Sequence, residues 1–109
     1  MILGVGREGV RTIELDEDLA MRPDALRAAI SEDRSSGWVP AGVVATIGTT
    51  STTAIDPVAA IADVAEAEGL WLHVDACYGG AALLLERQRL ELLAAHDHRS
   101  GRAVAPSAD

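Results

Sequence analysis

The sequence predicts an α/β fold in which parallel strands alternate with helices. Three observations carry that reading. Segments with strand character alternate with segments of helical period along most of the chain. The longest apolar run, Val39 to Ile47 (VPAGVVATI), reads as a strand covered on both faces, as strands of parallel sheets are. Aromatic residues are scarce, with two Trp, one Tyr and no Phe, so Ala, Val, Leu and Ile must fill the interior.

Each element follows from its local pattern. Val10 to Leu15 (VRTIEL) alternates apolar and polar residues and reads as a short strand. Pro23 suits the first turn of a helix, and Ala25, Leu26, Ala29 and Ile30 then recur on one helical face. Ser35-Ser36-Gly37 ends that helix, with glycine as the C-terminal cap. After the apolar run comes a hydroxyl-rich loop, GTTSTT, spanning Gly48 to Thr53. Asp56-Pro57 reads as N-cap and first position of a second helix, with Val58, Ile61, Ala62 and Ala65 on its inner face and Gly69 at its close. Leu70 to Val74 is a third strand, with Asp75 just past its carboxyl end. The order is strand, helix, strand, helix, strand. Ala81 to Leu93 reads as a further helix, and the stretch from His96 onward lacks core periodicity and reads as a disordered tail. Three parallel strands with so few crossovers lack cover on both faces, so the chain is expected to be part of a larger fold.

Composition excludes several classes of function. The 109 residues bound the chain to one small domain at most. A net charge of −8, with acidic residues spread along the chain, leaves no basic stripe for nucleic acid and no attraction to anionic membranes. No apolar stretch is long enough to span a bilayer, and MILGVGREGV lacks the pattern of a signal peptide. A single Cys permits no internal disulfide and fits a reducing compartment, so a cytoplasmic protein is expected.

In open α/β sheets, ligands bind beyond the carboxyl ends of the strands. Both GTTSTT and the segment DACYGG fall at that edge, and they face one crevice if their strands are neighbours. Asp75 is the sharpest feature. It is either a loop carboxylate with a structural role or the partner of a cationic ligand atom such as a pyridinium nitrogen, whose proton an adjacent carboxylate retains. His73 lies on the same side of the strand and reads as a satisfied core histidine or, with Asp75, as part of a metal site. The only candidates for a third ligand, His96 and His98, lie in the tail. The GTTSTT hydroxyls can meet an anion or a phenolic oxygen, or simply form a polar turn. Gly4-Val5-Gly6 follows no strand and makes a poor phosphate loop. Cys77 reads as a small packed residue, with no base in an identifiable triad.

Together these segments resemble a family. The stretch VVATIGTTSTTAIDPVAAIADVAEAEGLWLHVDACYGG, from Val43 to Gly80, is similar to the pyridoxal-phosphate-dependent amino-acid decarboxylases of the aromatic-amino-acid type. The upstream MRPDALRAAISEDRSSGWVPAGVV agrees, so the resemblance covers residues 1–85. It implies part of the large domain of a fold-type I enzyme, with pyridoxal 5'-phosphate as cofactor, an amino acid as substrate, carbon dioxide and an amine as products, and a homodimeric parent. It also implies that Asp75 pairs with the ring nitrogen and that Thr50 contacts the cofactor near its phenolic oxygen. Cys77 falls where the family usually carries Ala against the ring, and His73 has a supporting role. Aminotransferases and other lyases of the same fold share the ring-nitrogen Asp, and a non-catalytic chain that binds a partner is the remaining alternative.

One departure stands out. All nine basic residues are Arg, and the sequence contains no Lys. The family's cofactor-bearing Lys lies in a downstream Asn-Pro-His-Lys segment; its place falls near Ser107, where this sequence reads APSAD. Residues 86–109 are therefore expected to be a divergent tail, of the kind a shifted reading frame produces. No catalytic residue is assigned within the chain.

Overall fold

The computed structural model describes residues 4–84, which form helix α1 (Pro23–Ser35), strand β1 (Gly42–Thr46), helix α2 (Val58–Ala67), strand β2 (Trp71–Asp75) and a terminal 3₁₀ helix (Gly79–Leu84). The two strands are parallel neighbours, paired from Gly42↔Trp71 to Thr46↔Asp75. The β1–α2–β2 unit is thus the predicted crossover, and α2 packs on both strands while α1 packs on α2. The layers run sheet, α2, α1.

The helical registers follow the apolar period. Leu26, Ala29 and Ile30 are the buried residues of α1; Val58, Ile61, Ala62, Val64 and Ala65 are those of α2. All of these except Ala29 meet Val43, Ala45, Ile47 and Leu72 in one cluster in which Ile61 and Val64 are fully enclosed. Gly37 and Gly69, at φ +85° and +66°, take the left-handed conformation that closes each helix at low steric cost. Arg34 links the helix ends by pairing with the Glu68 carboxylate and donating to its carbonyl at 2.8 Å.

Four expectations change. Val10 to Leu15 is not a strand, because among the described residues nothing lies alongside it to complete a ladder. Only Leu15 forms an isolated antiparallel bridge, to Met21, across a turn in which the Asp16 carboxylate accepts the N–H groups of Asp18 and Ala20 at 2.9 Å. The apolar run forms a strand only from Gly42, and its burial alternates: α2 covers the face of Val43 and Ala45, while Val44 is 57% exposed. Asp56 does not cap α2, which starts one residue later with Pro57 at the cap position; its carboxylate is engaged elsewhere. Asp75 is the last residue of β2 rather than the first beyond it. The predicted helix over 81–93 lies mostly outside the described residues, and the predicted tail lies wholly so.

Candidate functional site

Parallel pairing brings the two chemically suggestive segments together, as the neighbour condition required. Thr46 and Asp75 are register partners at the ends of their strands, and the Ile47 N–H continues the ladder by donating to the Asp75 carbonyl at 2.8 Å. The chain after β2 then folds back over the end of β1, where the Gly79 N–H donates to the Ile47 carbonyl at 3.0 Å. Gly48, at φ +75°, lies against this return: a Cβ there would sit 3.3 Å from the Gly79 nitrogen.

The GTTSTT loop closes on itself. Gly48 and Thr49 both donate backbone N–H groups to the Ala54 carbonyl at 3.1 Å, and Ile47 and Ile55 form an antiparallel bridge below them. The Thr49 hydroxyl meets that of Thr52 at 2.6 Å and accepts the Ala54 N–H at 3.1 Å. Thr53 adopts φ +56°, which is rare for a β-branched residue, and its N–H donates to the Thr49 carbonyl at 2.9 Å. Thr50 is exposed, and its side chain takes no part in this network. Thr49 therefore holds the loop and Thr50 is presented by it, a division of labour that two adjacent threonines cannot reveal in sequence.

Asp75 is half-buried and accepts the Cys77 N–H at 3.1 Å. That bond is the main reason its carboxyl lies below the ordinary carboxylate range; a bond from the Cys77 thiol adds to it, burial opposes it, and His73 contributes through its charge. The same contact raises the Cys77 thiol, because ionising it would sacrifice a hydrogen bond and place a second negative charge beside Asp75. None of the described ion pairs involves Asp75; the arginines in those pairs (Arg11, Arg22, Arg34) meet other carboxylates. The carboxylate is thus ionised at neutral pH and stands at the carboxyl end of β2.

His73 lies on the face of the sheet that carries Asp75, opposite Val44, and it is exposed. The reading of a core histidine is corrected accordingly: α2 covers the other face, so alternate residues of β2 point away from the core. Among the described residues no group of three His, Cys, Asp or Glu side chains is placed to hold a metal ion. His96 and His98 lie outside the described residues. None of the described helices is long and apolar enough to cross a membrane.

The thiol contact has a measurable consequence. A raised thiol pKa keeps Cys77 protonated at neutral pH, so its alkylation by iodoacetamide is expected to rise only at higher pH than for an unstructured cysteine. Asp75→Asn should move that profile to lower pH, read by mass spectrometry of timed aliquots. An unmoved profile would show that the hydrogen bond does not control the thiol.

Comparison with known proteins settles the lineage. Residues 1–96 match the pyridoxal-dependent decarboxylase conserved domain. The chain belongs to this family. It is 47% identical over 87 residues to human (Homo sapiens) cysteine sulfinic acid decarboxylase, covering 80% of this chain and 18% of that protein. It is 40% identical over 90 residues to phenylacetaldehyde synthase of Arabidopsis thaliana, covering 81% and 18%. Among solved structures, Oryza sativa TDC with PLP superposes with a TM-score of 0.80 at 38% identity, covering 87% of this chain and 20% of that one. The chain thus spans about a fifth of the length of these relatives, and the fold is that of fold-type I decarboxylases.

Two residues that matter to the crevice were missed in the sequence. Asp56 read as an ordinary cap, and Gly79 was not singled out at all. Only the return of the chain over β1 shows why a side chain at Gly79 is excluded.

Proposed function

We propose that the chain is the part of a pyridoxal 5'-phosphate-dependent carboxy-lyase that holds the cofactor's ring nitrogen, within an enzyme that converts an amino acid to its amine and carbon dioxide. The observation that carries this reading is Asp75: an ionised, half-buried carboxylate at the carboxyl end of a parallel strand, steadied by a backbone N–H and paired with no arginine in the described ion pairs. Such a group fits a cationic ring nitrogen, and a carboxylate at contact raises the pKa of its partner by about 1–3 units. When bound, the cofactor supplies an electron-accepting pyridinium ring.

The other residues have defined parts in this reading. Asp75 holds the proton on the ring nitrogen. Thr50 offers its exposed hydroxyl toward the phenolic oxygen from a loop braced by Thr49 and Thr52. Cys77 packs beside the ring where the family usually carries Ala, and its protonated thiol adds no competing anion. His73 supports Asp75 from the neighbouring position on the same sheet face. Residues 1–85 form part of the cofactor-binding large domain and 86–109 a divergent tail, of which the family match still takes in residues 86–96. The parent is a cytoplasmic homodimer that binds neither nucleic acid nor membrane. The substrate is an amino acid, and the kinship with both a decarboxylase and an aldehyde synthase supports a role for this segment in the chemistry common to them.

With no Lys, the 109-residue chain cannot link the cofactor to a side-chain amine. Two outcomes are expected of the purified protein. It releases no carbon dioxide from aromatic amino acids or cysteine sulfinate in the presence of the cofactor; detectable turnover would refute the assignment of an incomplete site. Titration with pyridoxal 5'-phosphate, followed by ring absorbance, should show binding weakened about tenfold or more by Asp75→Asn, which corresponds to the loss of roughly one pKa unit of stabilisation. Equal binding by both forms would remove Asp75 from the cofactor site.

A further inference from the structure

Along β1, the Ala41 carbonyl accepts the Trp71 N–H at 3.0 Å and the Ile47 N–H donates to Asp75 at 2.8 Å, so alternate residues of this strand address β2. Thr46, out of phase with them, turns its N–H and carbonyl to the opposite edge. Asp56 meets both. Its own N–H donates to the Thr46 carbonyl at 2.9 Å, and its Oδ2 accepts the Thr46 N–H at 2.7 Å. A single residue thus makes the two bonds that a further strand would make. Its other oxygen, Oδ1, accepts the Met21 N–H at 2.7 Å, just before α1 begins.

This clamp is the base of the GTTSTT loop. Thr46 and Asp56 are where that loop leaves and rejoins the body, and Thr46 is also the register partner of Asp75. The Ile47 carbonyl in turn receives the Gly79 N–H. We propose that Asp56 is a positioning residue for the crevice: by fixing Thr46 it sets where the loop bearing Thr50 stands relative to Asp75. The functional meaning of that position rests on the cofactor reading above, but the clamp itself does not. Charge-assisted bonds to a half-buried carboxylate are the stronger kind, and a part-buried N–H that loses its acceptor is only partly compensated by water.

Amide hydrogen exchange of the full 109-residue chain tests this. Asp56→Asn retains one acceptor oxygen and replaces the other with a donor, so it cannot serve both Met21 and Thr46. Exchange of the Thr46, Gly48, Thr49, Ala54 and Gly79 amides should quicken by about tenfold relative to Val64 and Ala65 inside α2. Two results would overturn the proposal: loss of protection confined to Met21 and Thr46, or equal loss in α2, which would make Asp56 a general stabilising residue. A separate titration of the wild-type chain with pyridoxal 5'-phosphate tells the two ideas apart. Failure to bind would end the cofactor reading, whereas the exchange pattern would still decide whether Asp56 positions the loop.

Discussion

Ile61→Ala is expected to destabilise the chain by about 2–5 kcal/mol, the usual cost of truncating a fully enclosed aliphatic side chain. Ile61 has no exposed surface and lies in the one cluster that joins α1, α2 and both strands. Small domains are stable by only on the order of 5–15 kcal/mol, so this loss takes a large share of the total. Urea unfolding followed by far-ultraviolet circular dichroism should show the midpoint fall sharply. Ile61→Val, which removes one methyl group, should cost roughly 0.5–1.5 kcal/mol. Disrupting the Arg34–Glu68 pair at the helix ends should cost at most about 1 kcal/mol, since both side chains are partly solvated. If Ile61→Ala and the loss of that surface pair had similar effects, the cluster would not be the core of this fold.

Gly79→Ala should separate the two walls of the crevice. An added Cβ would sit 2.4 Å from the Ile47 carbonyl oxygen and 2.9 Å from its carbonyl carbon, both backbone atoms that cannot rotate away. The chain after Asp75 must then lift from β1, and the bond from the Gly79 N–H to Ile47 is lost with it. Overpacking of this kind costs about 1–3 kcal/mol. The expected signature is local: protection of the Gly79 amide disappears and the Cys77 thiol becomes more reactive, while α2 remains protected. Gly80→Ala is the control, because a Cβ at Gly80 would meet nothing within 4 Å. Equal behaviour of the two variants would show that the return over β1 is not set by the close approach at Gly79.

These two residues mark the boundary of what the sequence discloses. Ile61 was legible because helical period is a local property: positions spaced by three and four residues share a face whatever the helix packs against. Pro23, Gly37 and Gly69 bounded the helices for equally local reasons, namely a fixed φ and a permitted positive one. The parallel order of β1 and β2 followed from the helix between them, since a crossover of that length returns the chain in the same direction. That order placed GTTSTT and DACYGG at one edge, and the HVDA and GTT motifs identified the family.

Non-local contacts were not legible. Val10 to Leu15 alternates as a strand does, yet alternation is only half of a strand; the other half is a neighbour along its length, and among the described residues it has only the single bridge from Leu15 to Met21. Asp56 and Pro57 satisfy every local rule for starting a helix, but two N–H groups, 10 residues away at Thr46 and 35 away at Met21, hold the carboxylate instead. His73 read as interior because its neighbours are apolar, and it faces outward because only one side of the sheet is covered by α2. Composition, period and motif are written along the chain and settled the fold class, the existence of both helices and the presence of Asp75 at a strand's carboxyl end, each to within a residue. Which hydroxyl is presented, which carboxylate clamps the loop and which glycine admits no side chain depend on atoms brought together from distant positions, and only the folded backbone specifies those distances.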